Sequence, residues 1–325
     1  MSFFGIEKYD LLEDVWEEIL PKCSTNTIFI TPIWQSVWWR RFAAQKQPII
    51  RQIITGGDPI GIIPLLDHGD ELTFIGDSNV FDYMDFPVVS GREEEFFNAA
   101  WVEIKSMDWV GMRLESIPED SPTIYFAEKW ARAEGYSITI TETDKTPYSD
   151  LPESWEEYLL NLRKKDRHEL RRKIRRLEST SDYKQSAASL DPNDLEGSMD
   201  EFFRLMSLSG EDKEAFLNSN NKEFFLDLAS TFSKNDMFKL YFLEIEKTNV
   251  AACICFDYDN KCLLYNSGYD PSYSSLSVGL INKALTIESA INNNNSEYNF
   301  LKGTERYKYH LGASDRSVFK IEIAR

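Results

Sequence analysis

Two stretches of the chain, about 190 residues apart, follow one plan. Residues Ile49 to Tyr83 read as a strand, a Gly56-Gly57 turn, a strand from Ile60 to Leu66, a turn from Asp67 to Asp70, a strand from Leu72 to Ile75, and an acidic aromatic segment. Residues Lys239 to Tyr273 repeat the order: strand Leu240 to Ile245, turn at Lys247 to Asn249, strand Val250 to Phe256, turn Asp257 to Asn260, strand Leu263 to Asn266, then Tyr269-Asp270. Asp58 and Asn249 stand 191 positions apart, Asp70 and Asn260 190. Nearly constant spacing over three strands implies either a duplicated unit or two domains that share a common plan.

Helical periodicity flanks both repeats, over Trp34 to Phe42, Glu93 to Ser106 and Thr123 to Glu134 in the first half, and over Asp200 to Leu208, Glu223 to Phe232 and Val278 to Ile291 in the second. Further strands are expected at Met112 to Ser116 and Tyr136 to Thr141. The class is therefore α/β, and prolines at Pro147 and Pro152 place a boundary between domains 1–150 and 151–325. A chain of 325 residues, 42% hydrophobic, is ample for such cores.

Charge is divided unevenly. The net is −18, so indiscriminate binding to DNA or to an anionic membrane surface meets repulsion. Residues 163–176 nevertheless carry Arg163, Lys164, Lys165, Arg167, Arg171, Arg172, Lys173, Arg175 and Arg176 against Asp166 and Glu169. They are predicted to lie on one long helix that starts at a Ser154 cap, with Trp155, Tyr158, Leu159, Leu162, Leu170, Ile174 and Leu177 on its apolar face. Asp166 interrupts that face and is expected near an edge or beside Arg163. Like charges at four-residue spacing weaken an isolated helix, so acidic surroundings, a ligand's phosphates or RNA are expected to neutralise them. The first residues, Met1 to Trp16, lack the basic start and apolar run of a signal peptide, no stretch reaches membrane-span length, and the expected location is cytoplasmic. Cys253, Cys255 and Cys262 read as small core residues, and no metal is expected because the histidines are scattered. No GxxxxGK[ST], Gly-x-Ser-x-Gly or His-Glu-x-x-His pattern occurs.

The densest polar and aromatic stretch runs from Tyr265 to Gly312. A helix is predicted to begin there with Ser277 as cap, Val278, Gly279 and Leu280 in the first turn, and Ile281, Ala284, Leu285 and Glu288 at helical spacing. The leading N–H groups of a helix lack internal partners and sit at its positive end, so a pyrophosphate fits at this position; ordinary capping is the alternative.

This helix start, the Asn299-Phe300-Leu301-Lys302-Gly303 strand end and the Glu305-Arg306-Tyr307-Lys308 run resemble the C-terminal signature of the GNAT-type acyltransferases related to cellulose-biosynthesis CelD proteins, a family similar in turn to the Fem-type peptidoglycan aminoacyltransferases. The likeness extends to Trp155 and, more faintly, to Pro32-Ile33-Trp34 and Asp82-Tyr83. It implies tandem GNAT-like domains, each a mixed, mostly antiparallel sheet flanked by helices. It also implies transfer of an acyl group, with acetyl first in order, from acyl-CoA to an amine such as an amino sugar or another cell-envelope or polysaccharide precursor. Where relatives carry Asp and Arg, this chain has Asn299 and Lys302.

Thioester aminolysis needs a phosphate cradle, donors at the developing oxyanion, a base and an acid. Residues Ser277 to Leu280 are assigned to the cradle, with Lys308, Arg171 and Arg172 as further donor contacts. Glu305 is assigned as base and Tyr307 as acid or orienting hydroxyl. Asp82, Tyr83, Asp85 and Lys302 are assigned to the acceptor. Two other readings remain: an aminoacyl-tRNA donor held by the basic helix, and a non-catalytic binding protein on a degenerate fold.

Overall fold

The structure is a computed structural model, and it describes residues 10–43 and 45–325. Met1 to Tyr9, part of the N-terminal segment read above, lie outside them. The chain begins with helices α1 (Asp10–Ile19) and α2 (Pro32–Phe42), then strands β1 (Pro48–Thr55), β2 (Asp58–Asp67) and β3 (Glu71–Phe74). There follow α3 (Glu93–Lys105), β4 (Gly111–Pro118), α4 (Pro122–Glu134), β5 (Ser137–Lys145) and β6 (Tyr148–Asp150). Next come α5 (Trp155–Asn161), α6 (Lys164–Thr180), β7 (Tyr183–Ala187), α7 (Leu195–Leu208), α8 (Glu211–Phe216) and α9 (Ser219–Phe232). The last part holds β8 (Phe238–Ile245), β9 (Thr248–Tyr258), β10 (Lys261–Tyr269), α10 (Val278–Asn292), β11 (Glu297–Asn299), α11 (Arg306–His310) and β12 (Ser317–Ala324). Two compact units result, one of residues 1–145 with 316–325 and one of 146–315.

The first unit is built on a six-stranded sheet in the order β1-β2-β3-β4-β12-β5. Gly56 and Gly57, at φ 67° and 95°, make the reversed turn that joins β1 to β2 with the twist of the strands. β3 continues the antiparallel meander, and β4 then runs parallel to it. Aromatic packing fastens the flanking helices: Phe97 of α3 stacks on Phe126 of α4 at 4.6 Å, and Trp101 on Trp130 at 4.7 Å. β12 lies between β4 and β5, antiparallel to both, so the chain's last residues complete the sheet of the first unit.

The second unit repeats the meander in the order β6-β11-β10-β9-β8-β7, with β8, β9 and β10 antiparallel. Again a helix, α10, leads to a strand parallel to the last one of the meander. That pairing is short. Lys261 to Leu263 of β10 match Glu297 to Asn299 of β11, after which β10 runs on to Tyr269 beside β9 alone. A register shift between Leu264 and Asn266 marks where the two part.

The helix expected to run unbroken from Ser154 is two helices. Leu162 and Arg163 adopt extended backbone, with ψ 147° and 138°, and turn the chain between α5 and α6. Asp166 then falls in the first turn of α6, where its carboxylate is 2.8 Å from His310 Nδ1. Its partner is thus a residue 144 positions away and not Arg163. Among the described residues no helix is long and apolar enough to cross a membrane.

Because β12 is interior to the first sheet, ending the chain after Asp315 strips both β4 and β5 of a partner. Such a truncation is expected to abolish the cooperative unfolding of residues 1–145, read by tryptophan fluorescence in urea, and to leave β5 open to proteolysis.

Candidate functional site

Beyond Leu263 the divergence of β10 from the segment after β11 opens a cleft in the second unit. On one side stands the start of α10. Ser277 occupies the cap position at φ 59°, yet its hydroxyl caps no backbone group. It accepts instead from Lys173 Nζ of α6 at 2.7 Å. The first backbone bonds of the helix are made by Leu280 and Ile281, both to the Ser277 carbonyl. The N–H groups of Val278 and Gly279 have no partner among the described residues. A Cβ on Gly279 would stand 3.1 Å from the Tyr269 ring, so glycine lets that tyrosine lie against the helix start. Lys173, Tyr269, Ser277, Gly279, Lys283 and Tyr307 line a cavity of about 260 Å³ here.

On the other side, the chain leaves β11 at Asn299, whose amide bonds Glu297 at 3.1 Å and accepts from Leu301 N–H at 2.9 Å. Asn299 is buried and holds the bend in the chain. Leu301 and Gly303, at φ 58° and 105°, complete the bend. Lys308 was expected at a phosphate or carboxylate of a ligand. Its ammonium is buried and donates to the carbonyls of Leu301 (3.0 Å), Lys302 (2.6 Å) and Gly303 (3.0 Å), with Glu305 at 3.0 Å. Those partners take up its three N–H donors, so it pins the loop and has none left for a ligand. Tyr158 of α5 adds a hydrogen bond to the Leu311 carbonyl, which ties the end of the same segment to the core.

The pinned loop presents Glu305, with 58% of its side chain exposed, and Tyr307, which lines the cavity. Burial, helped by the Glu305 charge, raises the Tyr307 phenol well above its ordinary value, so it keeps its proton at neutral pH. No hydrogen-bond partner of its hydroxyl lies among the described residues. Lys302 is half-buried.

Two lysines escaped the sequence reading. Lys283 of α10 is 7% exposed, donates to the Gly279 carbonyl at 3.2 Å and lies 4.8 Å from the centre of the Tyr307 ring. Its signal was a lysine inside the apolar run VGLINKALTI, four residues after Gly279. Lys213 of α8 donates to the Ser267 carbonyl, in the part of β10 that β11 leaves unpaired, and nothing in its local sequence marks it. Burial brings Lys213 down to about 8, with Lys283 and Lys308 adding to the effect, and burial also lowers Lys283. Cys253, beside them on β9, is pushed up to about 12 by burial and remains a neutral thiol.

Other expected residues are placed differently. Arg171 pairs with Glu156 at 2.8 Å, and Arg172 with Glu169 at 2.7 Å, which holds Glu169 down to about 2. In the first unit Asp82 is half-buried, Tyr83 is buried 6.1 Å from the Phe29 ring, and Asp85 is buried. Asp85 accepts from the Thr25 and Thr123 hydroxyls and from Phe86 N–H, while burial drives its carboxyl upward. Those bonds fix the VFDYMDF segment from within, so Asp85 and Tyr83 are structural in position and do not line an open acceptor surface.

A meander of three antiparallel strands, a helix and a parallel strand that splays from the meander define the fold of tandem GNAT proteins. Residues 164–309 match the family model described as an acetyltransferase (GNAT) domain. No curated protein sequence matches the chain. Among solved structures, FemX aligns with TM-score 0.70 at 10% identity, covering 95% of each chain. A tandem GNAT protein from the clavulanic acid biosynthesis pathway aligns with TM-score 0.50 at 12% identity, over 99% of this chain and 96% of that one. L-PGS from Bacillus licheniformis aligns with TM-score 0.54 at 12% identity, over 95% and 90%.

Lys308→Met removes the donor to three carbonyls and a carboxylate, and is expected to lower stability by about 3 kcal/mol or more in urea denaturation. Lys213 carries a depressed folded value, so its charged form opposes folding. Relative to Lys213→Met, the native chain is expected to gain stability as pH rises from about 8 to about 10.4, the unfolded value, and to hold a constant difference below that window.

Proposed function

We propose that the second unit transfers an acyl group, acetyl or a short relative, from a coenzyme A thioester to an amine. The observation that carries this reading is the pair of unpartnered N–H groups on Val278 and Gly279, at the positive end of a 15-residue helix beside the cavity that Tyr307 lines. When bound, the thioester supplies an activated carbonyl and a sulfur leaving group. Val278 and Gly279 hold its pyrophosphate by their N–H groups, with Lys173 and Ser277 adjoining. Exposed Glu305 accepts the proton that the incoming ammonium must shed before nitrogen attacks. As the C–N bond forms and the C–S bond breaks, Tyr307 donates a proton to the departing sulfur and regains one from the nitrogen, which sheds it on becoming the amide. The open edge of β10 beyond Leu263 offers backbone donors to the carbonyl oxygen. An amino sugar or another polysaccharide or cell-envelope precursor is the acceptor class that the resemblance supports.

A second donor, aminoacyl-tRNA, is favoured by one specific observation. Arg171, Arg172 and Lys173 of α6 have carboxylate partners, whereas Lys164, Lys165, Arg175 and Arg176 have none among the described residues. They form a band of unneutralised charge suited to an RNA backbone. The whole-length likeness to FemX agrees with that reading.

Calorimetric titration with acetyl-CoA decides between them. Micromolar binding is expected, weakened about tenfold by Gly279→Ala and by use of 3′-dephospho-CoA. Tyr307→Phe is expected to lower kcat about 100-fold with KM nearly unchanged. Absence of CoA binding, together with tRNA binding whose salt dependence falls by about one ion for each of Lys164→Ala and Arg175→Ala, transfers the role to tRNA. Silence toward both ligands leaves a binding protein without transferase activity.

A further inference from the structure

The acyl-transfer cleft holds more positive charge than its own residues neutralise. Lys283 lines the cavity at the start of α10, Lys213 donates to the Ser267 carbonyl two residues before the cavity-lining Tyr269 on the same strand, and Glu305 is the carboxylate whose charge acts on both lysines. Glu305 is already ion-paired with Lys308 at 3.0 Å and is more than half exposed. The neighbouring Cys253 thiol contributes no charge, since burial pushes it up to about 12. Lys283, buried, and Lys213, half-buried, are therefore cations whose protein partners are neutral: the Gly279 carbonyl and the Tyr307 ring face for the first, the Ser267 carbonyl for the second. An ammonium has three donors, and each of these has one hydrogen-bond acceptor among the described residues. A buried charge left without a counter-charge is costly, and in a chain of net −18 a surplus of cations at one cleft is a local exception to the composition.

We infer that Lys213 and Lys283 form a carboxylate subsite within this cleft, so that one of the two substrates carries a carboxylate close to the reacting carbonyl. The inference rests on the cleft being the acyl-transfer site. A carboxylate suits the pair because its two oxygens can each receive a charge-assisted hydrogen bond from a separate ammonium. It can arrive from either side: on the acyl donor, as the free end of a dicarboxylic monothioester, or on the acceptor, as the carboxylate of an amino acid. In both cases the subsite selects a charged substrate over a neutral one of the same length, because rejecting the anion would leave the two cations unpaired.

The experiment compares matched pairs on the full chain by calorimetry. Succinyl-CoA against acetyl-CoA reports a carboxylate on the donor. Alanine and glutamate against their α-amides, with and without CoA, report one on the acceptor. Binding of the charged member about tenfold or more tighter in either pair supports the subsite, the factor expected of one charge-assisted hydrogen bond. The same ratio should fall to near one in Lys283→Gln and in Lys213→Gln, and should be retained in Lys283→Arg, with circular dichroism showing all three folded. Equal binding of charged and neutral members in both pairs overturns the inference, as does a preference that survives both glutamine substitutions. Failure of every CoA compound to bind is a failure of the CoA reading; the amino-acid pairs measured without CoA then still decide the subsite.

Discussion

The buried ammonium of Lys308 is the contact on which the candidate site depends. Residues 301–303 leave the sheet through a bend with two positive φ angles, and their carbonyls point away from any strand partner. Carbonyls buried without donors are costly, and one lysine supplies all three. With the bend held, Glu305 and Tyr307 follow at a fixed place, Tyr307 against the start of α10 and Glu305 toward solvent. The charge that stabilises the bend also contributes to the depressed Lys213 value, so the loop's support and the cleft's electrostatics share one atom.

The splay of β10 from β11 is the second constraint. A parallel pairing of three residues is enough to align the strands, and the register shift after Leu264 turns β10 away from β11. What remains is a strand edge that β11 no longer covers, where Lys213 takes the Ser267 carbonyl, and such an edge is where a polar ligand can take up backbone hydrogen bonds. The first unit has the same meander and parallel strand, but there β12 pairs along β4 over most of its length and closes that side.

Much of the fold was legible beforehand because it rests on local chemistry. Alternating apolar residues and turn residues at a 190-residue offset announced both meanders, and the unpartnered helix start followed from Ser277, Gly279 and the apolar period after them. Asp166 and Lys308 were misjudged for a common reason: their partners, His310 for one and the carbonyls of 301–303 for the other, are chosen by the path of the chain and leave no trace in spacing. Lys213 was invisible because only folding sets α8 beside β10. Asp85 looked available because a carboxylate among aromatics reads like a ligand site, whereas two threonine hydroxyls from distant segments enclose it.

By itself, then, the sequence determined the repeated α/β plan, the place of the helix start and the one-signed run on α6, since strand alternation, turn chemistry and charge act over a few residues. Tertiary structure alone decided that β12 completes the first sheet, that α5 and α6 are separate, and which cations face the cleft. Those outcomes depend on pairing between segments more than a hundred residues apart in several cases, where burial and partner geometry, not residue type, select the contact.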